Sequence, residues 1–137
     1  MPRKLYVFAI TALFITACSC QTSEKKQVKQ VAYEYELALG NYNIDRAALF
    51  ATAETRAKTL PVARHLMKSV SRENIEANMP AEIRISKVKL TSDTTATAYW
   101  SKKTPIKQCS GTVELRKRNG VWKAHDMIKT VPSRKKE

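Results

Sequence analysis

The sequence predicts an α+β domain, with three helices leading and a four-stranded antiparallel sheet following. Two observations carry this. Apolar residues recur at helical spacing as far as Met79-Pro80 and alternate at strand spacing beyond it. An Asn119-Gly120 pair then separates two alternating runs, the mark of a tight β-hairpin. Helices followed by consecutive strands pack on one face of a sheet rather than as alternating βα units.

The elements follow in order. Val28, Val31, Ala32, Tyr35, Leu39 and Tyr42 form one helical face, and Gly40-Asn41 supplies the stop. Asp45 is the expected N-cap of a second helix over 46–58, with Ile44 and Leu49 at the positions of a hydrophobic staple. Pro61 fits the first turn of a third helix. Val62, Leu66 and Val70 continue it at i, i+4, i+8, with a break near Ser71 before it resumes to Asn78. Ile83 and Ile85 alternate, as do Val88 and Leu90, but the pairs are out of phase, so a bulge is expected near Ser86-Lys87. Residues 94–101, 107–118 and 121–130 read as the second, third and fourth strands.

A two-residue turn at Asn119-Gly120 pairs Arg118 with Val121, Lys117 with Trp122, Leu115 with Ala124 and Val113 with Asp126. One face then carries Val113, Leu115, Trp122, Ala124 and Ile128, together with Cys109 and Asp126. The other carries Glu114, Arg116, Lys123 and His125. The first face looks inward, which predicts a buried Trp122.

Before the domain, Arg3 and Lys4 precede an apolar run from Leu5 to Ile15, and Ile15-Thr16-Ala17-Cys18 follows. A basic start, a short apolar core and small residues before a cut site are the parts of an export signal. Ile-Thr-Ala-Cys resembles the bacterial lipobox, which implies a mature chain starting at a lipidated Cys18. A plain secretory cut near Ala17, or modification at Cys20, stays open. Ser19, by resemblance to known sorting patterns, implies the outer membrane, facing the periplasm. The reading divides the chain into a signal segment (1–17), a lipidated cysteine and polar tether (18–25), an α+β domain (26–131) and a basic tail (132–137).

Removing residues 1–17 leaves 120 residues, enough for one domain with its own core. The formal net charge of +13 falls to +11 without Arg3 and Lys4. In an exported chain such basicity points to anionic lipid or cell-wall polymer rather than nucleic acid. Basic clusters stand at Lys25-Lys26 with Lys29, Lys102-Lys103, Arg116-Lys117-Arg118 and Arg134-Lys135-Lys136. Export makes a Cys20–Cys109 disulfide possible, while a tether cysteine and a strand cysteine argue against it. No Cys-x-x-Cys or His-x-x-x-His spacing occurs, so no metal site is expected. The chain has three glycines and no phosphate-cradling loop, no Gly-x-Ser-x-Gly setting and no cofactor signature.

The run Tyr35-Glu36-Leu37-Ala38-Leu39-Gly40-Asn41-Tyr42, leading into Asp45-Arg46-Ala47-Ala48-Leu49-Phe50, resembles the opening of nuclear-transport-factor-two-like domains. The closing Asn119-Gly120-Val121-Trp122-Lys123 also resembles that family. The resemblance implies a cone, a curved sheet wrapped on helices and often enclosing an apolar pocket. It also implies a short strand between the second and third helices, for which Thr59-Leu60 is the available stretch. The fold hosts isomerases, dehydratases, binding proteins and structural domains, so it does not dictate function.

Asp126 is the candidate general base, because a carboxylate on an apolar face acquires a raised pKa. The alternative is a structural carboxylate paired with a neighbouring Lys or Tyr. His125 cannot form a dyad with it, since adjacent strand residues point to opposite faces. Tyr35, Trp100, Cys109, Trp122 and Asp126 are the pocket-lining candidates, and Tyr33 and Tyr42 belong to the same aromatic set. Their spacing equally suits core positions. The reading is therefore a non-enzymatic binding or accessory domain held at the membrane, with a cone-pocket isomerase or hydratase using Asp126 as the alternative. The sequence names no protein partner.

Overall fold

The computed structural model describes residues 3–128, with side chains from residue 21 onward. Helices α1 (Arg3–Gly40), α2 (Ile44–Leu49), α3 (Leu60–Lys68) and α4 (Arg72–Ala77) precede strands β1 (Glu82–Leu90), β2 (Thr95–Lys103), β3 (Gln108–Arg118) and β4 (Val121–Ala124). The strands form one antiparallel sheet in the order β1-β2-β3-β4. Val28, Ala32, Tyr35 and Ala38 of α1 are buried in one cluster with Ile85, Ala96, Ala98, Val113, Leu115, Trp122 and Ala124 of the sheet. The α+β expectation holds, and α1 is the spine along which the sheet packs.

Several local expectations need correction. The stretch taken as a tether is helical, because α1 runs through it without a break. Residues 19–25 contain neither Gly nor Pro to stop a helix, and Glu24 docks on the final hairpin. The helix ends where expected. A Cβ at Gly40 would lie 2.9 Å from the Ala81 Cβ, so the residue there has to be small. Asn41 then closes the turn, donating from Nδ2 to Leu37 O and accepting at Oδ1 from Ala81 N.

The N-cap of α2 is Asn43, whose Oδ1 accepts from Arg46 N, rather than Asp45. Asp45 falls in the first turn and pairs with Arg64, and Leu49 is exposed, so no staple forms. The expected helix over 46–58 stops at Leu49. Ala51 makes a parallel bridge to Ala124, with Ala124 N donating to Phe50 O and Thr52 N to Ala124 O. The free edge of β4 thus captures these backbone groups before a helix can use them. A one-residue bridge at Ala51 thus stands where the resemblance implied a short strand, and Thr59-Leu60 lies instead in a π-helical turn (Thr55–Thr59) and the start of α3.

Pro61 sits in the first turn of α3, but the helix buries a different face from the one expected. Val62, Leu66 and Val70 are exposed, while Leu60, Ala63 and Met67 meet the core. The break at Ser71 is present, and its Oγ caps α4 by accepting from Asn74 N.

The β1 register shifts between Ile85 and Lys87, as the phase change predicted. The hairpin turn holds Asn119 at φ 52° and Gly120 at φ 77°, the left-handed pair of a type I′ turn. Arg118–Val121, Lys117–Trp122 and Leu115–Ala124 pair as expected, and Trp122 is 3% exposed. One further bond follows, His125 N donating to Glu114 O, and the ladder then ends. The expected Val113–Asp126 rung is missing and Ile128 is exposed, because the chain beyond Ala124 turns toward the π-helical turn. Residues 129–131 of the expected domain, the basic tail and the side chain of Cys18 lie outside the described residues.

Candidate functional site

Asp126 sits where that turn away from the sheet begins. Its backbone N donates to Thr55 Oγ1 at 2.9 Å, and its carbonyl accepts from Thr59 Oγ1. Its carboxylate Oδ2 accepts from the Tyr35 hydroxyl at 2.8 Å. Three hydrogen bonds therefore fix one residue between α1 and the π-helical turn. Tyr35 is fully buried. Burial, then the charge and hydrogen bond of Asp126, hold its hydroxyl protonated well above the usual phenol range.

Beside Tyr35 lies Glu36, which is 9% exposed and makes no hydrogen bond or ion pair to the described residues. Burial, reinforced by the charge of Asp126 and opposed by Lys102, pushes its carboxyl up to about 8. At neutral pH Glu36 is a neutral acid beside the Tyr35–Asp126 pair. Lys102 shares an inner-face parity with Trp100, Ala98 and Ala96 along β2, and its stem reaches the C-terminal end of α1 at Gly40. Trp100 lies flat on Gly111, where a Cβ would come within 2.7 Å of the indole. The Trp100 Nε1 is buried without a hydrogen-bond partner, an unsatisfied donor facing the interior.

His125 is buried on the other side of the same segment. Thr52 stands beside it because Ala51 bridges Ala124, and Thr52 Oγ1 lies 3.0 Å from His125 Nδ1. Thr52 also donates to Thr55 Oγ1, so a run of hydroxyls joins His125 to the backbone of Asp126. Burial, then the charge of Arg116, lowers the imidazole below its ordinary value. His125, expected on the outer face of the hairpin, is instead buried against Thr52, because the strand ends at Ala124 and its alternation does not extend to residues 125 and 126.

The structure separates the pocket candidates. Tyr35 and Asp126 touch, and Trp100 and Cys109 lie on the inner face toward the Lys102 end. Cys109 carries a free thiol. Trp122 belongs to the opposite end: it pairs with Lys117, six residues along β3 from the Gly111 that faces Trp100, about 20 Å away. There its Nε1 donates to Glu24 Oε2 at 2.6 Å, and Lys117 Nζ donates to Glu24 Oε1 at 2.7 Å. Trp122 thus anchors α1 to the hairpin and lines a separate cleft with Gln21, Glu24 and Lys117, away from the Tyr35–Asp126 pair. Tyr33 is 36% exposed and belongs to the outer surface. Sequence reasoning missed Glu36, Lys102 and the Thr52–Thr55–Thr59 set. The even spacing of Lys102 from Trp100, and the i, i+3, i+7 spacing of the threonines, were the available signals.

The fold, helices packed on an antiparallel sheet, is shared with two solved structures. One is an NTF-2-like protein of unknown function from Shewanella oneidensis MR-1, with a TM-score of 0.52 and 15% identity over 73% of this chain and 95% of that one. The chain has the nuclear-transport-factor-two-like fold. A second match, a ketosteroid isomerase-like protein from Erwinia carotovora atroseptica SCRI1043, gives a TM-score of 0.50 and 18% identity over 74% and 92% of the two chains. No protein-family model and no curated protein matches the sequence.

Proposed function

We propose that this chain is an envelope lipoprotein, held by a lipid on Cys18 and facing the periplasm from the outer membrane, whose cone domain binds a partner or ligand rather than transforming one. The tethering of Asp126 carries the binding reading. A general base needs a carboxylate aimed at a substrate and supported by other catalytic groups. Here Oδ2 already accepts from Tyr35, both backbone groups are tied to threonines, and the adjoining imidazole is engaged with Thr52. Those are the attachments of a residue that holds the end of β4 in place. The basic start, the short apolar run and Ile15-Thr16-Ala17-Cys18 support the anchor. Intact mass of the protein in the membrane fraction tests it: a lipid-modified species starting at Cys18 is expected, and Cys18→Ala should release the chain. An unmodified product starting elsewhere overturns the anchor.

One observation favours a second reading, a small isomerase- or hydratase-like enzyme. The neutral Glu36 acid beside the Asp126 carboxylate is a pair whose environments could divide acid and base roles. The ketosteroid isomerase-like printed name of one similar structure points the same way. Turnover of a panel of enolisable ketones, abolished in Asp126→Asn, would establish it. Retention of a co-purifying ligand by both wild type and Asp126→Asn, without turnover, supports binding.

A further inference from the structure

We infer that the groove between α1 and the free edge of β1 is a docking site for anionic phospholipid at a membrane surface. Among the described residues β1 pairs only with β2, and α1 runs alongside it. The space between them is an open groove of about 710 Å³, continued by a smaller one of about 270 Å³ toward the start of the helix. Its floor is apolar, made by Ile83, Ile85 and Val88. Lys25, Lys26 and Lys29 rise on the helix side, and Arg84 and Lys87 on the strand side.

No acidic side chain compensates the charge of this groove, although Lys87 Nζ lies 5.7 Å from the centre of the Tyr99 ring. No carboxylate lines it, and none of the five cations makes an ion pair with the described residues. Of the acids near it, Glu24 is engaged with Lys117 and Glu34 with Arg46, and Glu82 stands exposed at the far end of β1, outside the groove lining. An apolar strip between two rows of cations matches an amphiphile with an anionic head, and each cation adds attraction at an anionic lipid surface.

An acidic strand added to the edge of β1 is the competing occupant. The edge is built against it. A bulge breaks the register between Ile85 and Lys87, and Lys87 and Lys89 stand beyond it, two devices that block strand addition. The groove also begins close after Cys18 in sequence. The inference deepens the reading of an envelope binding domain and rests on it for the membrane.

The test uses the full chain carrying Cys18→Ser, which removes the thiol a lipid would modify. Co-sedimentation is measured with vesicles of one-third phosphatidylglycerol in phosphatidylcholine, and of phosphatidylcholine alone, at about 0.1 M salt. Attachment through the apolar run is common to both, so the ratio of the two affinities reports the headgroup. Lys25→Gln/Lys29→Gln/Arg84→Gln should lower that ratio by about tenfold or more. Lys58→Gln/Lys68→Gln/Lys107→Gln, which removes equal charge from exposed residues elsewhere, should lower it less than about threefold. Wild-type melting temperatures verify that both variants fold. Equal losses in the two variants, or a wild-type ratio near one, overturn the site. So does soluble polyglutamate that binds through the same three residues and displaces the vesicles at matched ionic strength. Because no variant here carries Cys18, failure leaves the anchor reading intact, and the mass measurement fails or succeeds independently.

Discussion

At the scale of single residues, the molecule spends its polar groups on holding α1 against the sheet at two points. At one, the Trp122 indole is buried and its N–H is satisfied by Glu24. Trp122→Ala removes a large core side chain and should cost about 3–5 kcal/mol in urea unfolding. Glu24→Gln, which keeps the shape, should cost far less. At the other, Tyr35→Phe leaves Asp126 Oδ2 without its donor and should cost about 1.5–3 kcal/mol, because the acceptor is a carboxylate. A loss equal to that of a neutral surface change would mean that water replaces the phenol. The burial of Trp122 was legible, since one Asn-Gly turn sets the register and the register sets the face. That Asp126 would pair with a Lys or Tyr was legible, but which one was not, because Tyr35 lies ninety-one residues away and nothing local links them.

Among elements, two glycines show how one substitution fails for different reasons. At Gly120 nothing lies within 4 Å of an added Cβ, but φ is 77°. Gly120→Ala should therefore cost about 1–2 kcal/mol through backbone conformation alone. Gly111 is on β3, where alanine would ordinarily stabilise. There the added Cβ meets Trp100 at 2.7 Å, so Gly111→Ala should destabilise by about 1–3 kcal/mol and alter the near-ultraviolet circular dichroism of the indole. An unchanged aromatic spectrum would show that Trp100 is not packed on Gly111. The starts of the last three strands, the β1 bulge and the break at Ser71 could be read from periodicity and caps, whereas the early end of β4 could not. The early end of α2 could not, because it depends on the edge of β4, an element formed by the far end of the chain. The face of α3 was misread for a related reason: two apolar stripes compete, and only the tertiary position of the helix chooses Leu60, Ala63 and Met67.

For the whole molecule, two buried groups shape stability against pH from opposite sides. Glu36 has a folded pKa of about 8 against an ordinary 4.5. Between those values the fold holds a proton that the unfolded chain has lost, so stability falls as pH rises through this window. Glu36→Gln should match wild type near pH 4 and exceed it by a few kcal/mol near pH 8, at ~1.4 kcal/mol per unit. His125 titrates below its ordinary 6.5 in the fold, so its contribution is lost as pH falls below that value. His125→Asn should flatten that acid limb. Unfolding midpoints for wild type and both variants across pH 4–9 check both limbs, and a pH-independent gain for Glu36→Gln would remove the buried-acid account. The α+β architecture was legible from the change in hydrophobic period, whereas the buried acid was not, because its burial depends on how the cone closes.

The clasp of Glu24 on Lys117 and Trp122 also sets how the domain can be carried. Glu24 lies six helical steps after Cys18, a rise of about 9 Å. For a chain held at Cys18, that length is a rigid stalk joined to the sheet at its hairpin end rather than a leash. The domain would then ride at a fixed height and tilt, with the Arg116–Arg118 tip turned toward the attachment point and the groove rising beside it. Anything such a protein meets would have to arrive in one orientation, so the geometry of approach, as much as affinity, would choose its partner.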